Sequence, residues 1–304
     1  MNQSVNGWEA PLWWEMITGQ GGLSFTLFNL QLNPRPILLG FLVITFLLLT
    51  APLVFISKKR EFIDKWVTWL IIALIVGPAI WIGESTTMIL AIIISLLAVS
   101  EYARMLELGK RDFLFIMAFS IALPIISLLA PSKLTLLPLF LLLVPLLPLI
   151  NGDTKTGGLR SSYIVFGIIW LAWAPAHLVL IYQDAFLIAL AVAVTDVSSW
   201  VGGKTFGRVR YLGAHFSPLS PNKTVAGLVG GAVGGFFILS ITNSFSLGYF
   251  LAVALGAPLG DLIESMFKRQ AGRKDAGSIL PGFGGILDRV DSLLIVLPLA
   301  AVLG

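Results

Sequence analysis

Three carboxylates stand in stretches where almost every neighbour is apolar. Asp196 lies in Val194-Thr195-Asp196-Val197-Ser198-Ser199-Trp200, and Asp261 and Glu264 lie in Gly256-Ala257-Pro258-Leu259-Gly260-Asp261-Leu262-Ile263-Glu264-Ser265. In a membrane helix each such acid costs about 2.5 to 3.5 kcal/mol and needs a partner, a cavity or an ion. On a helix, Asp261, Ser265 and Lys268 follow the i, i+4, i+7 spacing, so one stripe presents a carboxylate, a hydroxyl and an ammonium. That stripe could hold a metal ion and a phosphate together. Hard oxygen ligands suit Mg2+, which keeps several waters and takes one or two carboxylates plus substrate phosphates. The competing use is a buried ion pair of Asp261 or Glu264 with Lys268 or Arg269.

The stretch from Lys268 to Ser292 continues the theme. Lys268, Arg269, Arg273 and Lys274 precede Asp275, a Pro281-Gly282 turn and the Gly284-Gly285 pair, and Asp288, Arg289, Asp291 and Ser292 close it. Glycines let backbone N–H groups converge on an anion, the bases can neutralise a triphosphate, and Asp288 and Asp291 can hold the accompanying metal. Asp288, Asp291 and Ser292 share a helical face, so two acid-bearing helix ends can share metal ions, as in-line phosphoryl chemistry often requires. An earlier loop, from Gly202 to Gly207 and on through Ser217-Pro218-Leu219-Ser220-Pro221-Asn222-Lys223-Thr224, invites a phosphate reading too. Gly203-Lys204-Thr205 ends like a P-loop, but Ser198 stands where that motif needs its first glycine.

The elements that must position these residues are set by composition. With 57% hydrophobic and 12% charged residues in 304, no globular surface could be solvated. Apolar runs long enough for about 30 Å of hydrocarbon recur at 37–56, 66–83, 86–103, 113–130, 134–150, 162–182, 185–203, 224–242, 247–267 and 290–303. They are continuous rather than alternating, which predicts an all-α, polytopic bundle of about 9–10 spans and not a barrel. The chain divides into an interfacial segment (1–36), N-terminal spans (37–182) and a C-terminal catalytic region (183–304). Trp8, Trp13 and Trp14 place the first segment at the interface, and Glu9 and Glu15 without a basic start argue against a signal peptide. The absence of cysteine removes thiolate metal sites and cysteine nucleophiles.

If the loops alternate between two sides, eighteen of the 20 Lys and Arg residues fall on one face, and only Arg35 and Lys133 fall on the other. The positive-inside tendency puts the basic loops, and with them the acidic and basic constellation, at the cytoplasmic membrane interface. For the first three loops, topology and contact with anionic headgroups are sufficient reasons for the charge.

The residues from Ser265 to Asp291 follow the pattern S-x2-K-R-x4-K-D-x-G-x3-P-G-x-G-G-x2-D-R-x-D, and there the chain resembles the CDP-diacylglycerol synthase (phosphatidate cytidylyltransferase) family. Asp196 to Gly207, and Ser220 to Thr224 with Gly227, are weaker blocks in the same order; the first 190 residues are similar only in being hydrophobic spans. The resemblance implies that Asp261 and Asp288 ligate a two-cation centre, Mg2+ with a second cation such as K+. Ser265 would lie beside them, and Lys268, Arg269 and Lys274 would face phosphates. Asp275, Arg289 and Asp291 belong to the same motif. Ser220, Lys223, Thr224, Gly284 and Gly285 are the expected nucleotide contacts, with Asp196 and Glu264 as further acids. The family's His-Gly-Gly is Phe283-Gly284-Gly285 here, and its S-P-K-K-T-x-E-G is Ser220-Pro221-Asn222-Lys223-Thr224-Val225-Ala226-Gly227, which leaves the acceptor lipid open and describes a divergent paralogue. Neither His177 nor His215 replaces the missing histidine: His177 is mid-span and expected to be packed.

The implied reaction is attack of a lipid phosphomonoester oxygen on the α-phosphorus of CTP. The nucleophile is already anionic, so catalysis reduces to aligning two polyanions and screening their repulsion. Expected partners are CTP, phosphatidic acid or a related lipid phosphate, and membrane lipids of a bacterial inner membrane, with a homodimer open and nucleic acid excluded. The alternatives are a CTP-dependent polyprenol kinase attacking at the γ-phosphorus, a transporter using Asp196, Asp261 and Glu264 along its path, and a non-catalytic binding paralogue.

Overall fold

The structure is a computed structural model and describes 25–27, 30–32 and 34–304, apart from Asn151, Arg210, Phe216, Pro218, Leu219, Pro221, Asn222, Ser278 and 280–283. The interfacial tryptophans Trp8, Trp13 and Trp14, and the divergent Phe283, lie outside the described residues. Helices α1 (Pro34–Ile56), α2 (Arg60–Ile82), α3 (Glu84–Met105) and α4 (Lys110–Leu129) are followed by a 3-10 turn at Pro131–Leu136 and two short helices, α5 (Leu137–Leu141) and α6 (Leu146–Ile150). Then α7 (Gly157–Gly167) runs through a π-helical turn, Ile168–Trp173, into α8 (Ala174–Leu180), and α9 (Tyr182–Phe206), α10 (Val225–Ile241), α11 (Leu247–Gln270) and α12 (Leu287–Leu303) complete the chain. Ahead of α1 a small antiparallel pair, β1 (Phe25–Leu27) with β2 (Leu30–Leu32), is an element the apolar pattern did not announce.

Among the described residues, seven helices are long and apolar enough to cross a membrane, α7, the π turn and α8 acting as one. The expected span at 134–150 is not a single helix. Pro138, Pro145 and Pro148 each lack an N–H and crowd the preceding turn, so the segment breaks into α5, a run of turns and α6. It nevertheless carries the chain back across the bundle. Arg160 near the start of α7 donates to Asp112 at the start of α4 through Nε (2.9 Å) and Nη2 (2.8 Å), and through Nη1 to Asp153 (2.9 Å). The chain that leaves α4 at its far end is therefore back beside its beginning by residue 153. The backbone N–H of Thr156, then Arg160 and the Thr156 hydroxyl, hold the Asp153 carboxyl down at about 2, so this anchor stays ionised. The spans expected at 224–242 and 290–303 are 17-residue helices, about 25 Å long at 1.5 Å per residue.

Two apolar clusters fill the bundle, and each draws on both sides of residue 182. One surrounds Tyr102, Ile116, Trp170 and Leu171 and includes Phe267 and Leu294; the other joins Leu90, Ile188, Val253 and Val296. Glycines set the closest helix approaches. A Cβ at Gly202 on α9 would lie 2.7 Å from the Ala226 carbonyl oxygen, so α9 and α10 pack backbone to backbone. On α11, a Cβ at Gly260 would strike the Asp291 carbonyl oxygen and come within 2.8 Å of the Ser292 Cα on α12. Gly260→Ala should therefore destabilise the bundle by about 1–3 kcal/mol, since backbone cannot yield as a side-chain tip can. Thermal unfolding in detergent reads this out, and an unchanged midpoint would mean that the two helices are not in contact at Gly260.

Candidate active site

The approach at Gly260 is what gathers the acids. With α11 and α12 in backbone contact there, Asp261 and Glu264 from one helix and Asp291 from the other place one carboxylate oxygen each within 4.8 Å of one another. Helix α11 begins where the Ser246 hydroxyl accepts the Tyr249 N–H (2.9 Å) and ends with Lys268 and Arg269 in its last turn, where cations suit the carbonyl end of the dipole. The i, i+4, i+7 stripe is present on it: the Ser265 hydroxyl donates to Asp261 (3.3 Å), and Lys268 follows one turn later.

Lys268 is spent on two buried acids. Its ammonium donates to Glu264 Oε2 at 2.5 Å and to Asp288 Oδ1 at 2.9 Å, where Glu264 is 1% exposed and Asp288 4%. The ion pair foreseen as the competing use of these residues thus exists at Glu264, while Asp261 pairs instead with Lys223, ahead of α10. Asp288, expected beside Asp261, turns toward the loop. Its carboxylate accepts the N–H groups of Ala276 (3.0 Å) and Gly285 (2.7 Å) as well as Lys268. The glycine-rich backbone does converge on an anion, and that anion is the chain's own Asp288. Gly284, at φ +84, takes the left-handed conformation this turn requires.

The remaining expected residues lie on α9, α11 and α12 and on the loops next to them. Asp196 on α9 is accessible and faces Asp261, Lys223 and Arg289, with Ser292 beside it. Arg269, Lys274, Asp275 and Arg289 are exposed at the same end of the bundle. Thr224 caps α10 by accepting the Gly227 N–H (3.2 Å), and Ser220 accepts the Lys223 N–H at its carbonyl (3.0 Å). His177 is buried, with Nδ1 2.9 Å from the Trp173 carbonyl, a packed residue as expected.

A hard divalent cation fits this donor set. Three carboxylates share one small volume, and Glu264 Oε1 is buried with no hydrogen-bond partner among the described residues, the kind of orphaned acceptor that an ion satisfies. Asp261, Glu264 and Asp291 would hold it.

A buried acid beside the glycine-rich loop escaped the sequence reading. Glu101 on α3 is fully buried, and its carboxyl accepts the N–H of Ile286 at Oε1 (3.1 Å) and of Leu287 at Oε2 (2.8 Å). The signal was there, an acid inside the apolar run 86–103, under the same cost rule that singled out Asp196 and Asp261.

Comparison with known proteins identifies the family. Phosphatidate cytidylyltransferase of Helicobacter pylori is 35% identical over 161 residues, 49% of this chain and 52% of the relative. The enzyme of the same name from Staphylococcus aureus is 35% identical over 160 residues, 50% of this chain and 51% of its own. The chain thus spans about half the length of these two curated relatives. The Staphylococcus haemolyticus phosphatidate cytidylyltransferase is 28% identical over 263 residues, 79% of this chain and 97% of the relative. The model of the cytidylyltransferase family matches residues 63–304. A multi-pass membrane protein whose apolar helices carry that match along most of their length, this chain belongs to the cytidylyltransferase family.

Proposed function

We propose that this chain transfers the cytidylyl group of CTP to phosphatidic acid, giving CDP-diacylglycerol and pyrophosphate for phospholipid biosynthesis. The observation that carries the reading is the meeting of Asp261, Glu264 and Asp291 at the α11–α12 crossing, with basic residues of both flanking loops around them. The printed names of the three relatives support it. The site would face the cytoplasm across a bacterial inner membrane, since the basic loops gather at its end of the bundle. CTP would enter from water and the lipid from the side.

A Mg2+ ion at the acid cluster would supply charge screening between the two polyanions. The rest is positioning. An oxygen of the lipid phosphomonoester attacks the α-phosphorus of CTP, the bond to the β,γ-pyrophosphate breaks, and pyrophosphate departs with that electron pair. Because the nucleophile is already ionised, no side chain has to remove a proton. Arg269, Lys274 and Arg289, all exposed, would neutralise phosphate oxygens, and Lys223 would exchange its bond to Asp261 for one to the nucleotide. Asp196 and Ser292 border the same space.

Purified protein incubated with labelled CTP and a panel of phosphate-bearing lipids should form a CDP-lipid and release pyrophosphate. Release of CDP with a phosphorylated lipid would favour a kinase instead and overturn the proposal. EDTA should stop turnover and added Mg2+ should restore it; turnover in EDTA would refute the metal assignment.

A further inference from the structure

We propose that Glu101 is a positioning residue for this site: by accepting the opening N–H groups of α12 it fixes the rotation and depth at which that helix offers Asp291 to Asp261 and Glu264, and Asp288 to Lys268. The inference rests on reading the acid cluster as a metal and nucleotide site.

The start of a helix leaves N–H groups without intrahelical partners, and a side chain next to it in sequence usually accepts them. At α12 the N-cap position is Ile286, which has no acceptor to give. The donors are satisfied from elsewhere. Asp288 reaches back to the Gly285 N–H, and the N–H groups of Ile286 and Leu287 go to the two oxygens of Glu101, 185 and 186 residues away in sequence. The negative end of Glu101 also faces the positive end of the α12 dipole.

A Cβ at Gly277 or at Gly285 would collide with Glu101, so both flanks of the glycine-rich loop close on the same side chain. Two glycines of the Ser265–Asp291 pattern thereby have a steric reason that lies outside the pattern, on α3. Both Glu101 oxygens are committed to N–H donors, and Glu101 is not one of the three acids whose oxygens converge. It therefore acts through α12 and not on a ligand. Asp288 directly follows the clamped residues and Asp291 comes about one turn later, so a small rotation of α12 would move both.

The test is Mn2+ binding to the purified full-length protein without nucleotide, read by electron paramagnetic resonance, together with hydrogen exchange at the Ile286 and Leu287 amides. In Glu101→Gln one oxygen becomes an NH2 group that opposes a backbone N–H. Loss of an orienting partner of this kind typically weakens metal binding by about 10- to 100-fold. We expect a loss in that range, faster exchange at both amides, and a partial recovery in Glu101→Asp, which keeps the charge and shortens the reach. If Glu101→Gln does not fold, the aspartate variant is compared with the parent by the same two measurements. Mn2+ affinity equal to the parent's in a folded variant would overturn the inference, even if its melting point fell, because that would be mere structural support. Absence of Mn2+ binding by the parent protein would overturn the metal reading itself.

Discussion

Asp261→Asn should abolish the proposed cytidylyl transfer while leaving the protein folded. Asp261 is the acid of the cluster most open to solvent, 39% exposed against 1% for Glu264, so it stands where a cation from water would arrive. Asparagine keeps the shape but removes a full charge from the proposed metal site. Losing about 4 kcal/mol of transition-state stabilisation corresponds to a rate about 1,000-fold lower. The stability effect should be small, because the Lys223–Asp261 pair is partly exposed, and such pairs contribute about 0–1 kcal/mol. Turnover of labelled CTP, together with thermal unfolding in detergent, separates the two effects. A variant that turns over CTP like the parent would remove Asp261 from the metal site, and a collapsed variant would make it a structural residue.

Lys268→Met should act in the opposite proportion, unfolding the protein as well as inactivating it. Its ammonium lies between Glu264 and Asp288, both nearly inaccessible. Removing one partner of a buried ion pair leaves uncompensated charge and costs about 3–5 kcal/mol. The double variant Lys268→Met with Glu264→Gln should recover part of that stability, because one stranded carboxylate is gone, and should stay inactive because the cluster has lost an acid. The comparison is made by unfolding midpoint and CTP turnover of the two single variants and the double. A Lys268→Met protein as stable as the parent would show that the ammonium is not holding the two acids. Full activity in the double variant would remove Glu264 from the chemistry.

The different behaviour expected of these two cations follows from where their helices put them. Lys223 stands on a turn before α10, 24% exposed, and can change partners; Lys268, 14% exposed and doubly bonded in the last turn of α11, cannot without leaving an acid bare. A ligand phosphate could therefore recruit Lys223 at little cost, whereas recruiting Lys268 would mean replacing its charge with another.

Local sequence determined the membrane character, the helical class and the chemical vocabulary of this protein. Runs of apolar residues long enough for hydrocarbon, acids placed within them, and the Ser265–Asp291 pattern are all short-range features, and the stripe from Asp261 to Lys268 needs only helical periodicity. The broken segment at 131–150 was legible too, in Pro138, Pro145 and Pro148, but a count of apolar residues overlooks where an N–H is missing. Tertiary structure decided which acids meet. Asp288 and Asp291 are three residues apart, yet the crossing at Gly260 sends Asp291 to Asp261 and Glu264, while the loop turns Asp288 toward Lys268 and the N–H groups of Ala276 and Gly285. The clamp at Glu101 joins α3 to α12 across 185 residues, and no periodicity spans that distance; it exists only because the fold brings a buried carboxyl to a helix end that has no cap of its own.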